Sequence, residues 1–196
     1  MVYADNISGI LSLLKNKLYS NVEEIVYIKD DKNIPYISPK IQTELKIIYS
    51  LGEFEKYASI EEKLAKNRIK FKYFLKHKCN MYLALYENNI TGYYFVCKIS
   101  DFKPYPYNKL PLFQGDKSHY IFFCHTFSEY RGKNIYPYVL TQICKDVEKN
   151  SGVIFISTDV DNISSQKGIE KAGFRRLCTL KYRNVGNICK YKVEYL

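Results

Sequence analysis

The sequence lacks a long apolar run, a C-x-x-C cysteine pair and any run of adjacent lysines. Its most apolar stretches, at 81–86 and 120–124, are far too short to cross a bilayer. The N-terminus does not show the basic-then-apolar order of a signal peptide. We therefore expect a cytoplasmic protein with no membrane partner.

The cysteines and histidines do not form the spacings of a metal site. None of the six cysteines belongs to a C-x-x-C pair, and the three histidines are not spaced to complete a ligand set. Most of the cysteines lie within apolar runs, which favours buried free thiols in a reducing compartment. We predict no metal.

The net charge of +10 admits two kinds of partner. A basic chain can bind nucleic acid, or it can attract a phosphorylated small molecule. The charge is spread over both halves of the chain, and Lys-Lys runs and Arg-rich arms are absent. This even spread argues against nucleic acid, so we expect no nucleic-acid partner, although charge alone does not decide.

Length and composition indicate one ordinary domain. The chain has 196 residues, of which 46% are hydrophobic and 26% charged, and it contains no repeat or linker. We predict a single domain over 1–196, in which 1–52 contribute a helix and a strand but no recognisable motif.

Apolar periodicity predicts a series of helices and strands. We expect helices over 6–18, 53–78, 134–149 and 162–171, and strands over 22–28, 81–86, 92–99, 118–126, 153–157, 174–182 and 188–195. Residues 41–48 fit either type, 87–91 form a hairpin turn, and 101–115 form a proline-containing loop that is a candidate substrate-facing flap. The helix over 53–78 carries an apolar stripe that we expect in the core: Phe54, Tyr57, Ile60, Leu64, Ile69, Tyr73 and Phe74. Alternation of helices and strands after a hairpin indicates a mixed sheet with helices on its faces.

One junction has the features of a phosphate site. A predicted strand ends near Thr126, a polar turn follows, and a helix begins just after Arg131 and Gly132. Such a junction offers unpaired backbone N–H groups at the positive end of a helix dipole. Gly132 lets the backbone approach a ligand, and Arg131 or Lys133 adds positive charge.

Two segments together resemble the GNAT superfamily of acyl-CoA N-acyltransferases. SEYRGKNIYPYVL, at 128–140, is similar to the family's R/Q-x-x-G-x-G/A turn and helix, and DNISSQKGIEKAGF, at 161–174, is similar to its second motif. Three positions differ from the family pattern: Glu129 replaces Arg or Gln, Asn134 replaces the second Gly or Ala, and Ile169 occupies the place of a tyrosine that is the general acid in many members.

The resemblance implies an α/β (α+β) fold with a mixed, centrally splayed sheet, and acetyl-CoA lying between the strands at 118–126 and 153–157. The pantetheine arm would pair with the backbone between Cys124 and Thr126. The pyrophosphate would bind the amides of Arg131, Gly132, Lys133, Asn134, Ile135 and Tyr136. Asn162 and Ser165 would complete the cofactor site.

Amine acylation needs a base, and His125 is the first candidate because it ends the strand expected to flank the thioester. His119, at the start of that strand, and Tyr182 are alternatives, and a buried structural role for either histidine stays open. We assign no nucleophilic role to Cys124.

The resemblance thus implies acetyl transfer from CoA to a primary amine of a small molecule, by direct attack in a ternary complex. The acceptor expected from the resemblance is an amino sugar or a nucleotide-linked amino sugar, and the protein is expected to be a monomer or a homodimer. Two alternatives are an acyl-CoA-binding domain without catalysis and a basic nucleic-acid-binding module.

Overall fold

A computed structural model describes residues 19–58, 62–103, 117–148, 152–185 and 188–195. Its strands are β1 (Tyr19–Lys29), β2 (Glu44–Ile48), β3 (Asn80–Tyr86), β4 (Asn89–Lys98), β5 (His119–Thr126), β6 (Ile154–Asp159), β7 (Arg175–Val185) and β8 (Ile188–Tyr195). Its helices are α1 (Leu51–Ala58), α2 (Glu62–Ala65), α3 (Arg68–Lys76), α4 (Ile135–Glu148) and α5 (Ile163–Lys171). The helix predicted over 6–18 and most of the predicted flap lie outside the described residues.

The strands form one mixed sheet in the order β2-β3-β4-β5-β6-β1-β7-β8. Among the described strands only β5 and β6 are parallel neighbours, and their pairing runs from His119–Ile154 to Ile121–Ile156. Both strands continue beyond these pairs, so they separate and open a gap at their carboxyl ends. The predicted class, a mixed and centrally splayed sheet flanked by helices, is confirmed.

Strand β1 occupies an interior place in the sheet, between β6 and β7. Its successive residues Ile25, Val26, Tyr27 and Ile28 are all buried. A strand that is covered on both faces has this unbroken apolar character. The strand predicted over 22–28 is therefore confirmed, and it lies inside the sheet rather than at an edge.

The single helix predicted over 53–78 is wrong, because three shorter helices occupy this stretch. Asn67, which precedes α3, has φ −111° and ψ 11°, and its side-chain Nδ2 donates to the Tyr93 hydroxyl at 3.3 Å. The break changes which face is buried. Ile69 and Tyr73, predicted in the core, are 62% and 51% exposed, whereas Phe71 is fully buried.

The sheet carries an apolar core on each face. Helices α1 to α3 pack against one face, and α4 and α5 pack against the other. The hairpin between β3 and β4 has a two-residue turn, Glu87 and Asn88, which is shorter than predicted, and both residues have positive φ. Among the described helices, none is long and apolar enough to span a membrane.

Candidate functional site

A β-bulge in β5 shapes one wall of the site. Phe123 has φ +49°, and the pairing with β4 shifts from Phe95–Phe122 to Tyr93–His125. Between these two pairs the chain advances three residues along β5 but only two along β4, so β5 contains one extra residue. Such a bulge bends its strand and re-aims its side chains. The bend coincides with the separation of β5 from β6.

The turn between β5 and α4 presents backbone donors. Gly132 and Asn134 have φ of +74° and +60°, and the amides of Gly132, Lys133 and Asn134 have no acceptor in the described part of the chain. Pro137, in the first turn of α4, has no N–H to offer. The free donors therefore collect at the positive end of the α4 dipole, as an anion site requires.

The segment 30–43, between β1 and β2, crosses this turn. The Lys40 amide donates to the Lys133 carbonyl at 2.8 Å. In a trans peptide the C=O and the following N–H point in opposite directions, so the Asn134 N–H points away from Lys40. The contact fixes the orientation of a peptide that belongs to the predicted cofactor turn.

A buried lysine anchors the same segment. The Lys29 ammonium is 3% exposed and donates to the carbonyl of Asn33 at 2.8 Å and that of Gly173 at 3.4 Å. It also pairs with the Asp31 carboxylate at 2.7 Å. These partners satisfy a charge that would otherwise be costly to bury, and they tie segment 30–43 to the end of α5.

Helix α5 supplies the opposite wall. Its N-cap is Asn162, whose Oδ1 accepts from the Ser165 amide at 3.1 Å, so this oxygen is already engaged. A Cβ atom built on Gly168 would lie 2.6 Å from Cδ1 of Tyr136. The absence of a side chain at Gly168 therefore lets the Tyr136 ring lie against α5, where it also stacks on Tyr94 with 6.1 Å between ring centroids.

These elements enclose a cleft of about 440 Å³. Every predicted site residue except Lys133 lines it. Lys133 instead accepts from Lys40 and places its ammonium 5.2 Å from the Tyr130 ring centroid. The cleft also has six lining residues that the sequence did not predict: Tyr130, Pro137, Ser164, Lys167, Gly168 and Lys171. Four of these share one face of α5 at helical spacing, a pattern that could have identified them.

The charge of the cleft is positive. Arg131, Lys167 and Lys171 line it, and no acidic side chain does so within the described residues. The Arg131 Nε donates to the Thr126 carbonyl at 3.1 Å, and the Lys171 ammonium donates to Asn134 Oδ1 at 3.0 Å. Two of the three cations are therefore held next to the free amides of the turn.

Glu129, at a position where the family has Arg or Gln, is turned toward α2. Its carboxylate pairs with the Lys63 ammonium at 2.7 Å, and this hydrogen bond is the main cause that lowers the pKa of Glu129 to about 2. The carboxylate is therefore ionised at neutral pH, and it does not line the cleft.

His125 is half-buried at the cleft, and its ring stacks on Tyr93 at 5.4 Å and meets Phe127 edge-on at 5.1 Å. Its ring nitrogens have no hydrogen-bond partner among the described residues. Burial lowers the pKa of His125, and the positive charge of Arg131 lowers it further. Burial raises the pKa of the Cys124 thiol to about 12, so this group is a thiol rather than a thiolate at neutral pH.

The two alternative bases do not line the cleft. His119 begins β5, about 20 Å from His125 at the rise of a strand, and its Nδ1 is buried. Tyr182 is 7% exposed on β7, which β6 and β1 separate from β5. The structure therefore brings only His125 of the three candidates to the site. Groups of three or more potential metal ligands are absent from the described residues.

No known family profile and no curated protein matches the sequence. Solved structures do match its fold. A GNAT-family acetyltransferase from Colwellia psychrerythraea matches over 96% of this chain and 62% of its own, with a TM-score of 0.55 and 15% identity. A GCN5-related N-acetyltransferase from Sphaerobacter thermophilus matches over 96% and 57%, with a TM-score of 0.50 and 13% identity. A tandem GNAT protein from the clavulanic acid biosynthesis pathway matches over 86% and 55%, with a TM-score of 0.53 and 10% identity.

The protein therefore has the fold of the GNAT superfamily, which confirms the resemblance found in the sequence. It spans about three fifths of the length of these structures. Identities this low define a shared fold, and activity has to be argued from the site.

Proposed function

We propose that the protein is an acyltransferase that moves an acetyl group from acetyl-CoA to a primary amine of a small molecule. The observation that carries this proposal is the cleft, which opens where β5 and β6 separate and is bordered by free amides and basic side chains. Acetyl-CoA combines an extended amide arm with a diphosphate. The unpaired edge of β5 matches the arm, and the free amides with their basic side chains match the diphosphate.

The arm has an exposed strand edge to join. Beyond Ile121, the edge of β5 that faces β6 is no longer paired with it, so an extended ligand can add there as a further strand. The diphosphate then lies over the free amides of Gly132, Lys133 and Asn134, next to Arg131 and Lys171. The strand edge and the three amides have no partner among the described residues, whereas Arg131 and Lys171 are held in place by hydrogen bonds.

Bound acetyl-CoA would supply a thioester carbonyl that an amine can attack. The chain must then remove a proton from the amine, and His125 has the required properties. Its lowered pKa keeps the imidazole neutral near pH 7, and its ring nitrogens are not engaged by described residues. The ring lies on the sheet face of α1 to α3 with Tyr93 and Phe127, so we expect the acceptor amine on that face.

The acceptor class that we propose is an amino sugar or a nucleotide-linked amino sugar. Support comes from the likeness of the segment NIYPYVLTQICKDV, followed by DNISS, to GNAT proteins that modify amino sugars. Antibiotic, polyamine and peptide amines are the alternatives to test beside it.

A second function is favoured by Ile169. This side chain is fully buried in the α4–α5 core and offers no hydroxyl where many GNAT proteins have a tyrosine. The protein would then bind acyl-CoA without transferring the acyl group.

Two measurements test these proposals. Acetyl-CoA at about a hundred times its dissociation constant should stabilise the fold by about 2.7 kcal/mol and raise the melting temperature by several degrees. Release of CoA should then be measured with a panel of amino sugars, polyamines and peptides. An unmoved melting curve would contradict the cofactor assignment, whereas stabilisation without CoA release for any amine would favour the binding function.

A further inference from the structure

A row of aromatic rings contains His125 on the sheet face that carries α1 to α3. Phe123, Tyr93 and His125 are stacked in that order, with 6.0 Å and then 5.4 Å between ring centroids, and Phe127 meets His125 edge-on at 5.1 Å. Tyr93 is buried, whereas the other three rings are half-buried and keep part of their surface accessible. The proposed base therefore belongs to one aromatic row, which runs from the bulge to the end of β5.

Two lysines contact the two ends of the aromatic row. The Lys63 ammonium lies 4.8 Å from the Phe127 ring centroid, and the Lys70 ammonium lies 5.4 Å from that of Phe123. The charge of Lys63 is paired with the Glu129 carboxylate at 2.7 Å. Lys70 makes no hydrogen bond or ion pair with any described residue. Its positive charge is therefore available to a ligand that lies along the row.

The surroundings of Lys70 differ from those of the other cations of α3. Arg68 and Lys72 share the Glu55 carboxylate, and Lys76 is exposed to solvent. Lys70 is half-buried, so its ammonium has lost part of its hydration, and an aromatic ring compensates for only a fraction of that loss. An anion beside Lys70 is therefore stabilised more than it would be beside an exposed lysine.

The charges near His125 favour an acceptor that brings negative charge. No carboxylate of the described residues lines the cleft, and Arg131 lies on its other side. A polyamine would add positive charge next to Lys70 and Arg131, which is unfavourable. Acidic residues line a separate depression beside the end of β6, which does not include His125: Glu23, Asp159 and Asp161.

We infer that Lys70 forms an anion subsite of the acceptor site and binds a phosphate group of a phosphorylated amino sugar. The inference rests on the proposed function, because it assumes that the acceptor amine reaches His125. The diphosphate of a nucleotide-linked sugar and the phosphate of a simple sugar phosphate share this chemistry, for which a lysine is a suitable point charge. The subsite would select such an acceptor over a free amino sugar or a polyamine.

The test measures acceptor affinity by calorimetry, with the full chain saturated by CoA so that no acetyl transfer occurs. The probes are UDP-glucosamine, glucosamine 1-phosphate, glucosamine and spermidine. The proteins are the wild type, Lys70→Gln, Lys70→Arg and the control Lys76→Gln, which removes one exposed charge from the same helix. Each variant is first checked for stabilisation by acetyl-CoA, which we expect to be unchanged because Lys70 and Lys76 do not line the cleft.

We expect the wild type to bind at least one of the two phosphorylated probes about tenfold more tightly than glucosamine, as for one charge-assisted contact. The tighter of the two identifies the source of the phosphate. Lys70→Gln should lose this preference by weakening the phosphorylated probe alone. Lys70→Arg should retain the preference, and Lys76→Gln should behave as the wild type.

Several results would overturn the subsite and leave the cofactor assignment standing. These are a wild type that binds no phosphorylated probe more tightly than glucosamine, tighter binding of spermidine than of either phosphorylated probe, and a preference that persists in Lys70→Gln. An equal loss of preference in Lys76→Gln would assign the effect to net charge rather than to a local contact. If neither CoA nor acetyl-CoA binds the wild type, the proposed function itself fails.

Discussion

Replacing Gly168 by alanine tests the contact between α5 and the cofactor turn. A Cβ at this position would lie 2.6 Å from Cδ1 and 3.0 Å from Cε1 of Tyr136. Carbon atoms normally pack at about 3.5–4.0 Å, so the ring has to move by about 1 Å. The ring is stacked on Tyr94, whose own side chain is fully buried, so the packing opposes this movement.

The expected magnitude follows from two opposing effects. Alanine stabilises a helix interior by about 1 kcal/mol relative to glycine. Overpacking typically costs about 1–3 kcal/mol. We therefore expect Gly168→Ala to lower the free energy of unfolding by about 0–2 kcal/mol. Because Tyr136 also belongs to the first turn of α4, which would hold the diphosphate, we expect weaker acetyl-CoA binding as well.

The assays are urea denaturation and calorimetric titration with acetyl-CoA. Gly52→Ala is the matched control, since Gly52 lies in α1 and an added Cβ would meet nothing within 4 Å. Because Gly52 lies in the first turn of α1, this control should gain at most about 0.5–1 kcal/mol, the value for a helix interior. In a Tyr136→Ala background the clash is absent, so Gly168→Ala should become stabilising there. Equal stabilisation by both glycine substitutions, with unchanged acetyl-CoA affinity, would refute the reasoning.

His125→Ala should lower turnover by about a hundredfold or more while acetyl-CoA affinity stays nearly unchanged, and a stable variant with wild-type turnover would exclude the catalytic role. Since the pKa of His125 is held below its ordinary value of 6.5, wild-type turnover should fall only as the pH drops below about 6.5, and this acidic limb should flatten in the variant. Gly132→Val should cost about 1–2 kcal/mol of stability, because a β-branched residue is strained at φ +74°. It should weaken acetyl-CoA more than Gly132→Asn does, and wild-type affinity in Gly132→Val would remove this turn from the site.

The sequence by itself determined most of the local structure. Alternation and helical periodicity located the strands from β3 onward and the helices α4 and α5, because these patterns depend on which side of each element is apolar. The strand-turn-helix junction at Gly132 was also readable, since the backbone conformation of such a turn depends on a few adjacent residues. The same two segments carried the resemblance that the fold comparison confirmed.

Only the tertiary structure decided how these elements meet. The sequence contains nothing local that places β1 between β6 and β7, or that joins the Lys40 amide to the turn at Lys133. The bulge at Phe123 and the cleft-facing side of α5, with Lys167, likewise depend on partners distant in the chain. Periodicity shows that one side of a helix is apolar, but long-range packing decides which way that side points. For this reason Ile69 and Tyr73, which the pattern assigned to the core, are exposed on α3, the helix that begins after Asn67.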